Sequence, residues 1–293
     1  MNIEISIIIA TRKANSHLSD CLAALYPQLN QNNAEIVVVE SNSVPVAESI
    51  KQSFPTVNFV SCTGSTSLAE MKAEGIRASQ GDIIALVQAH CIPSNDWIRL
   101  HRDAHKQHPA SAIGGAVVSR ASATAAERFA FLCEYGKFNV NTSAGPASFL
   151  ASSNVSYKKL DLAKVMEDDY WELELHRKLC DACNGLWYFP DIVVVYQRKS
   201  TLFRFLLEKF HYSRYFASRR FENKRTALLY ASGCVLLPAI VWIRLLTTLS
   251  ANEHRYSEFL ICIPYFIAIA VAWTSGELVG YVFGSGNSEK HFG

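Results

Sequence analysis

Short β-branched runs alternate with helix-periodic segments four times within about the first hundred residues, and few folds accommodate that rhythm. Residues 5–10, Ile-Ser-Ile-Ile-Ile-Ala, form a nearly continuous apolar run that ends at Thr11 and Arg12, as a strand buried on both faces of a parallel sheet does. Leu18, Cys21, Leu22 and Leu25 then recur at helical spacing, and Pro27 marks the end of that helix. The pattern repeats as a strand at 35–40 and a helix from about Val46, then a strand at 57–61 and a helix at 68–78 stopped by Gly81. A strand at 82–87 and a helix from about Asp96 complete it. Four β-then-α units predict an α/β chain with a doubly wound, mostly parallel, Rossmann-like sheet. Ligands of such sheets gather at the carboxyl ends of the strands, so the loops starting at Thr11, Glu40 and Gln88 are the expected binding loops.

The following stretch is less regular. A strand is expected at 112–119, a turn at Gly145-Pro146, and a strand-like run at 149–152 leading into Asn154. An amphipathic helix at 170–182 and two short apolar runs, 186–189 and 192–196, follow and are expected to close a pocket over the first half. A net charge of +2 and the absence of a basic block with interleaved aromatics before residue 190 argue against a nucleic-acid partner. Eight scattered cysteines suit buried free thiols in a reducing compartment, and Cys180 and Cys183 form a lone CxxC with a structural reading. The N-terminus has no basic region before its first strand, which points to a cytoplasmic start.

Chemistry changes at Arg198. Residues 198–225 carry nine Lys and Arg against Glu208 and Glu222, threaded with Phe203, Phe205, Phe210, Tyr212, Tyr215, Phe216 and Phe221. Such a segment suits the headgroup layer of anionic membrane lipids. Residues 227–249 and 259–283 are long enough to span hydrocarbon, and the short loop between them predicts a transmembrane hairpin. The positive-inside bias places the preceding domain and both termini in the cytoplasm, on a two-span protein of the inner (plasma) membrane. The expected organisation is a soluble domain at 1–197, an interfacial segment at 198–225, two transmembrane helices at 226–284 and a tail at 285–293. Gly276 and Gly280 suit close packing of the two spans on each other or on a partner, and Arg244 is the expected partner of the intramembrane Glu277.

Taken in order, these segments resemble the inverting family 2 glycosyltransferases of the GT-A fold, in their membrane-anchored bacterial form from polysaccharide and glycolipid synthesis. The first strand through Thr11 is similar to the family's "VSVVIPTYN", and Glu35 to Ser43 to its "EIIVVDDGS". Leu68 to Gly75 is similar to "LAAARNAG", Gly81 to Val87 to "GDYIAFL", and Ser153 to Tyr157 to the acceptor-side "gNvsyRR". Pro93 and Trp97 keep the "P…W" that follows the family's metal motif. Trp171-Glu172 through Asp191 follows the family's "ED" helix and the strand after it, and 273–281 resembles the "W..GE..Gy..G" tail.

The resemblance implies a nucleotide-sugar donor and a lipid-linked or membrane-proximal glycan acceptor. Inverting transfer needs a carboxylate to deprotonate the acceptor hydroxyl, and Glu172 matches that acid. Thr11, Arg12, Glu40, Lys72, Gln88 and Ala89 fall at donor-binding positions, with Glu40 toward the nucleobase and Lys72 toward the diphosphate. Asn154, Trp171 and Arg198 fall on the acceptor side. At the metal motif the family's carboxylates are replaced by Gln88-Ala89-His90, which leaves His90 as the metal-ligand candidate and puts dependence on Mn²⁺ or Mg²⁺ in question. Gln197 stands where the family often has a His. Two readings follow: a membrane-anchored glycosyltransferase, metal-dependent or not, and a catalytically silent nucleotide-sugar-binding subunit that scaffolds a polysaccharide-assembly complex. A homo-oligomer is compatible with either, and two helices are too few to enclose a transport path within one chain.

Overall fold

The computed structural model describes the chain except for residues 1–2, 13–15, 64–65, 167–169, 200, 222, 237–238, 241–242, 244–255 and 292–293. Arg244, the expected partner of Glu277, the acids at 167–169 and most of the loop between the two apolar stretches therefore lie outside the described residues. The chain divides into two units. One comprises Met1–Arg120 with Phe138–Arg198, the other Ala121–Lys137 with Lys199–Gly293.

The first unit opens with the expected alternation. Strand β1 (Ile5–Thr11), helix α1 (Ser16–Leu25), β2 (Ala34–Ser41), α2 (Glu48–Ser53), β3 (Asn58–Cys62), α3 (Leu68–Ala78), β4 (Ile83–Val87), β5 (Cys91–Pro93) and α4 (Trp97–Gln107) follow in turn. β6 (Ala112–Ser119), β7 (Gly145–Ala147), β8 (Asn154–Lys158), α6 (Lys159–Val165), α7 (Glu172–Ala182) and β9 (Leu186–Tyr196) complete it, with α5 (Ala125–Tyr135) belonging to the other unit. Ile7, Ile8, Ile9, Val37, Val38 and Val39 are fully buried or nearly so, which is why β1 and β2 read as unbroken apolar runs. Helix α3 is started by a capping box in which the Glu70 backbone N–H donates to Ser67 Oγ and the Ser67 N–H to Glu70 Oε2.

The expectation of a mostly parallel sheet is corrected. The sheet order is β3-β2-β1-β4-β8-β6-β9-β5, with β7 also on β9. β3, β2, β1 and β4 are mutually parallel, but β8 lies antiparallel between β4 and β6, and β5 and β7 are antiparallel to β9. The sheet is therefore mixed. Two expected boundaries move with it: Gly145-Pro146 belongs to strand β7 rather than a turn, and the strand expected at 149–152 begins instead at Asn154. The two apolar runs at 186–189 and 192–196 are one strand, β9, whose register with β6 slips between Gly115 and Ala116. The slip leaves Pro190, Asp191 and Ile192 out of step and lets a proline sit in a paired strand.

Among the described cysteines all thiols are free; Cys21, Cys62, Cys91 and Cys234 are buried, whereas Cys180 is exposed rather than packed inside.

The second unit is helical. α5 is capped by Thr124 and Glu127. α8 (Leu202–Arg220), α9 (Lys224–Gly233) and α10 (Tyr256–Phe283) make up the rest with short 3₁₀ turns at Cys234–Leu236 and Ser288–His291. The aromatic residues expected in a headgroup layer are divided. Phe205 packs inside with Phe129, Phe266 and Ile269, and Tyr215 is buried, whereas Phe203 is exposed. The glycine pair, expected at a close helix contact, packs on α8. A Cβ at Gly276 would collide with Ser213 Oγ and the Phe210 carbonyl, and one at Gly280 with the Arg214 carbonyl, so these glycines let α10 close onto α8. Glu277 is buried and accepts hydrogen bonds from Trp273 Nε1 (2.7 Å) and the Tyr281 hydroxyl (3.2 Å). Among the described residues one helix, Tyr265–Phe283, is long and apolar enough to cross a membrane, with a mean hydropathy of 1.6. The expected hairpin is not present in the described structure: the apolar stretch from residue 227 enters α9 and a 3₁₀ turn, and much of its remainder lies outside the described residues.

Candidate active site

The carboxyl ends of the parallel strands gather the first set of expected residues. Thr11 pairs in register with Glu40, and Glu40 with Ser61, so the three form one row across β1, β2 and β3. Glu40 is buried and its carboxylate is held from three directions. Oε2 accepts from the Val46 N–H at 2.6 Å, and Oε1 accepts from Lys51 Nζ at 2.7 Å and Ser61 Oγ at 2.9 Å. Burial alone would raise its pKa, but these donors outweigh it and hold the group below the usual carboxylate range. Neither Lys51 nor Ser61 was singled out from the sequence. Ser61 sits opposite Glu40 only through strand register, while Lys51 lies on the helix directly after β2.

A second cluster lies around α3 and the start of α7. The Tyr170 N–H donates to the Ala69 carbonyl at 3.3 Å, which ties the residues before α7 to the first turn of α3. One turn along α3, Lys72 Nζ sits 4.9 Å from the centroid of the Tyr170 ring, a cation–π contact. Lys72 also faces Glu172. Burial lowers the Lys72 pKa and the Glu172 charge opposes that shift. Conversely, burial raises Glu172 to about 7, against the lowering effects of Lys72 and of hydrogen bonds from Ser152. Oε1 of Glu172 is buried and has no hydrogen-bond partner. A carboxylate poised near neutrality with an unspent acceptor oxygen is chemically equipped to take a proton.

Behind this pair runs a buried polar chain that sequence reading missed. The Leu150 N–H donates to His176 Nδ1 (3.4 Å), so the ring proton is on Nε2, which donates to the Tyr157 hydroxyl (2.7 Å). The Tyr157 and Tyr170 hydroxyls are 2.6 Å apart. Burial lowers His176 to about 3, so it is neutral in this chain. His176 stands four residues after Glu172 on α7, hence on the same helix face, and that spacing was a legible signal. Tyr157 was legible only as the last residue of the segment Ser153 to Tyr157 that resembles the family's acceptor-side motif.

The metal-motif position is built differently from a carboxylate cradle. The turn after β4 is closed by the Cys91 N–H donating to the Gln88 carbonyl at 2.9 Å, with Ala89 buried. The His90 ring meets Tyr196 edge-on at 5.0 Å, and the Gln197 N–H donates to the His90 carbonyl at 2.8 Å. His90 Nε2 is buried without a partner, and burial, then the nearby Arg198 and His17, lower the ring to about 3. One neutral imidazole and the Gln88 amide do not supply the oxygen-rich, anionic donor set that Mg²⁺ or Mn²⁺ takes. No group of three or more His, Cys, Asp or Glu side chains suited to a metal occurs among the described residues. The divalent-cation site that the sequence already put in question does not fit the residues present at this turn.

Arg198 and His90 are thus brought together, as are Lys72 and Glu172, and Thr11 and Glu40. Arg12 follows β1 and is half-buried, and Trp171 is the residue from which α7 starts. Asn154, expected on the acceptor side, lies inside the sheet. Its side chain is wholly buried, with Nδ2 donating to the Ala116 and Ile192 carbonyls at 2.8 Å each and Oδ1 accepting from Trp97 Nε1 at 2.8 Å. Its Oδ1 also lies 3.2 Å from His101 Nε2. The amide bridges the register slip between β6 and β9.

A mixed sheet with a parallel half bearing these loops defines the GT-A type of α/β fold. The family model for glycosyl transferase family 2 matches residues 6–159, more than half of the chain, and the protein belongs to that family. No curated protein sequence matches the chain. Among solved structures, it is similar to the mannosyltransferase PcManGT from Pyrobaculum calidifontis in complex with GDP-Man and Mn²⁺, with a TM-score of 0.60 at 14% identity, over 94% of this chain and 86% of that one. It is also similar to S. aureus TarS 1–349 in complex with UDP-GlcNAc, with a TM-score of 0.55 at 10% identity, over 94% of this chain and 91% of that one. At such identities the likeness is one of fold.

Proposed function

We propose that this family 2 glycosyltransferase transfers a sugar, as a hexosyl group and with inversion, from a nucleotide-sugar donor to a lipid-linked or membrane-proximal glycan acceptor in polysaccharide or glycolipid synthesis. The observation that carries the reading is Glu172: buried, raised to about 7, and holding an unpartnered Oε1. In the proposed step Glu172 takes the proton of the acceptor hydroxyl while the acceptor oxygen bonds to the anomeric carbon. The bond from that carbon to the diphosphate oxygen breaks, and the nucleoside diphosphate leaves with the electron pair. Lys72, Arg12 and Arg198 are the cations we assign to the departing charge. The nucleotide sugars bound by PcManGT and TarS support this donor class, and the apolar helix Tyr265–Phe283 supports an acceptor at a membrane.

Release of nucleoside diphosphate from a panel of nucleotide sugars, with and without EDTA, tests the reading. Turnover is expected with at least one donor, and EDTA is expected to leave it unchanged because the Gln88-Ala89-His90 turn offers no carboxylate pair. A silent nucleotide-sugar-binding subunit is the alternative, favoured by that same turn. Donor binding without turnover by any acceptor fraction would establish it.

A further inference from the structure

The most apolar helix among the described residues, α10, packs along a helix that carries charged side chains as well as apolar ones. Phe266 and Ile269 of α10 pack with Phe205 of α8; further along, Gly276 closes on Phe210 and Ser213, and Gly280 on Arg214 and Ala217. The numbers rise together, so the two helices run side by side in the same direction over the stretch that would cross a bilayer. Along it α8 carries Glu208, Lys209, Arg214, Arg219 and Arg220, and Lys209 pairs with Glu134 of α5 at 2.8 Å. After Phe283 the chain turns back over α8: Arg214 Nε donates to the Gly284 carbonyl at 2.8 Å, and Ser288 Oγ lies 3.1 Å from His211 Nδ1. Charged side chains and a returning polar tail thus flank the middle of the apolar window. Crossing the bilayer would drag all of them into hydrocarbon.

The outward face of α10 is different. Ile267, Val271, Leu278 and Val282 are exposed, and at 100° per residue they fall within one narrow strip, opposite the buried Ile269, Gly276 and Gly280. The apolar surface continues on the adjoining α9 with exposed Leu229 and Tyr230. Arg219, Arg220, Lys224 and Arg225 are exposed close by, and the Arg220 guanidinium lies over Tyr230 and donates to the Tyr281 hydroxyl. An apolar strip bordered by cations matches a lipid surface with anionic headgroups.

The geometry points to in-plane attachment: the second unit lies on one leaflet of an anionic membrane, α10 immersed along its Ile267–Val271–Leu278–Val282 strip, and does not cross it. This rests on the membrane reading above but not on the transfer reaction.

Two measurements on the full chain test it. Ser257→Cys and Asn287→Cys, near the two ends of α10, are labelled separately with a membrane-impermeant maleimide in sealed vesicles of known orientation, each against the parent chain. Both are expected to react from the same face, and labelling from opposite faces would overturn the proposal while leaving membrane attachment intact. In parallel, the purified chain is mixed with vesicles of phosphatidylcholine alone or with 30 mol% phosphatidylglycerol, a composition chosen as an ordinary anionic surface of roughly this charge. Binding is expected only to the anionic vesicles and is expected to fall at least tenfold in the Ile267→Asp/Val271→Asp variant with its helix content unchanged. Absence of vesicle binding by the parent chain would overturn both this proposal and the membrane reading, whereas equal binding by the variant would remove α10 as the contact.

Discussion

Lys72 holds its ammonium 4.9 Å from the ring centroid of Tyr170, two residues before Glu172, whose carboxylate opposes the burial-driven fall of the lysine's pKa. Residues a hundred positions apart in sequence thereby set one another's protonation. If Glu172 is the base, kcat/KM rises with pH through a limb near 7, because the group must be ionised to accept a proton. Lys72→Met removes the cation that lowers the Glu172 pKa, so that limb moves to higher pH, and a pH-rate profile reads it directly. Glu172→Gln is expected to lower kcat by about 10²–10⁴ with donor affinity retained. Near-wild-type turnover would take Glu172 out of the base role.

The same carboxyl makes a stability prediction of definite sign. Its folded pKa, about 7, lies above the ordinary 4.5, so the folded state holds a proton that the unfolded chain has released between those values. Its contribution is fully present below about 4.5 and is lost as pH rises through about 7. Glu172→Gln is therefore expected to be more stable than the parent at pH 8, by up to about 3 kcal/mol, and no more stable at pH 4. Urea unfolding at the two pH values measures the difference.

Buried histidines act in the opposite direction. Burial lowers His101, His105 and His176 each to about 3, so they are neutral in the folded state and take up protons readily only on unfolding. Folded pKa values below the ordinary 6.5 contribute stability that is present above 6.5 and lost as pH falls towards 3. The chain is expected to unfold cooperatively in mild acid, with more than one proton taken up. The pH dependence of the urea midpoint between about 7 and 4 gives that number through linkage, and a flat midpoint would contradict the burial of these rings.

Asn154 separates a structural role from a substrate contact. Asn154→Ala leaves the Trp97 Nε1–H and the Ala116 and Ile192 carbonyls without their partner, at a cost of about 2–5 kcal/mol. Thermal unfolding should shift strongly downward while the acceptor KM of the folded enzyme stays within about twofold. A raised acceptor KM without loss of stability would return Asn154 to the acceptor site.

Local signals were faithful where one element answers to its own periodicity. Helix α3 runs over Leu68–Ala78 and β6 over Ala112–Ser119, both as their patterns predict, and Thr124 and Glu127 carry the capping-box spacing that starts α5. Asn154 and β9 show the limit. A buried asparagine in a polar-looking "SNVS" segment resembles a binding residue, and Pro190 splits an apolar run as a loop would. Only the slip between Gly115 and Ala116 explains both. Glu277 likewise invited an ion pair, whereas its described partners are Trp273 and Tyr281, each four residues away on its own helix.

The sequence by itself determined the α/β alternation, the order of the loops that follow the parallel strands, the acid at 172 and the absence of carboxylates at 88–90, because each is written in adjacent residues. Tertiary structure decided which strands pair antiparallel, that Glu40 is occupied by Lys51 and Ser61, and that Lys72 and Glu172 meet over Tyr170. It also decided that the apolar α10 rests against the charged α8. Hydropathy counts the side chains of one segment, but the solvent a helix requires is set by the neighbours packed against it, and those come from distant parts of the chain.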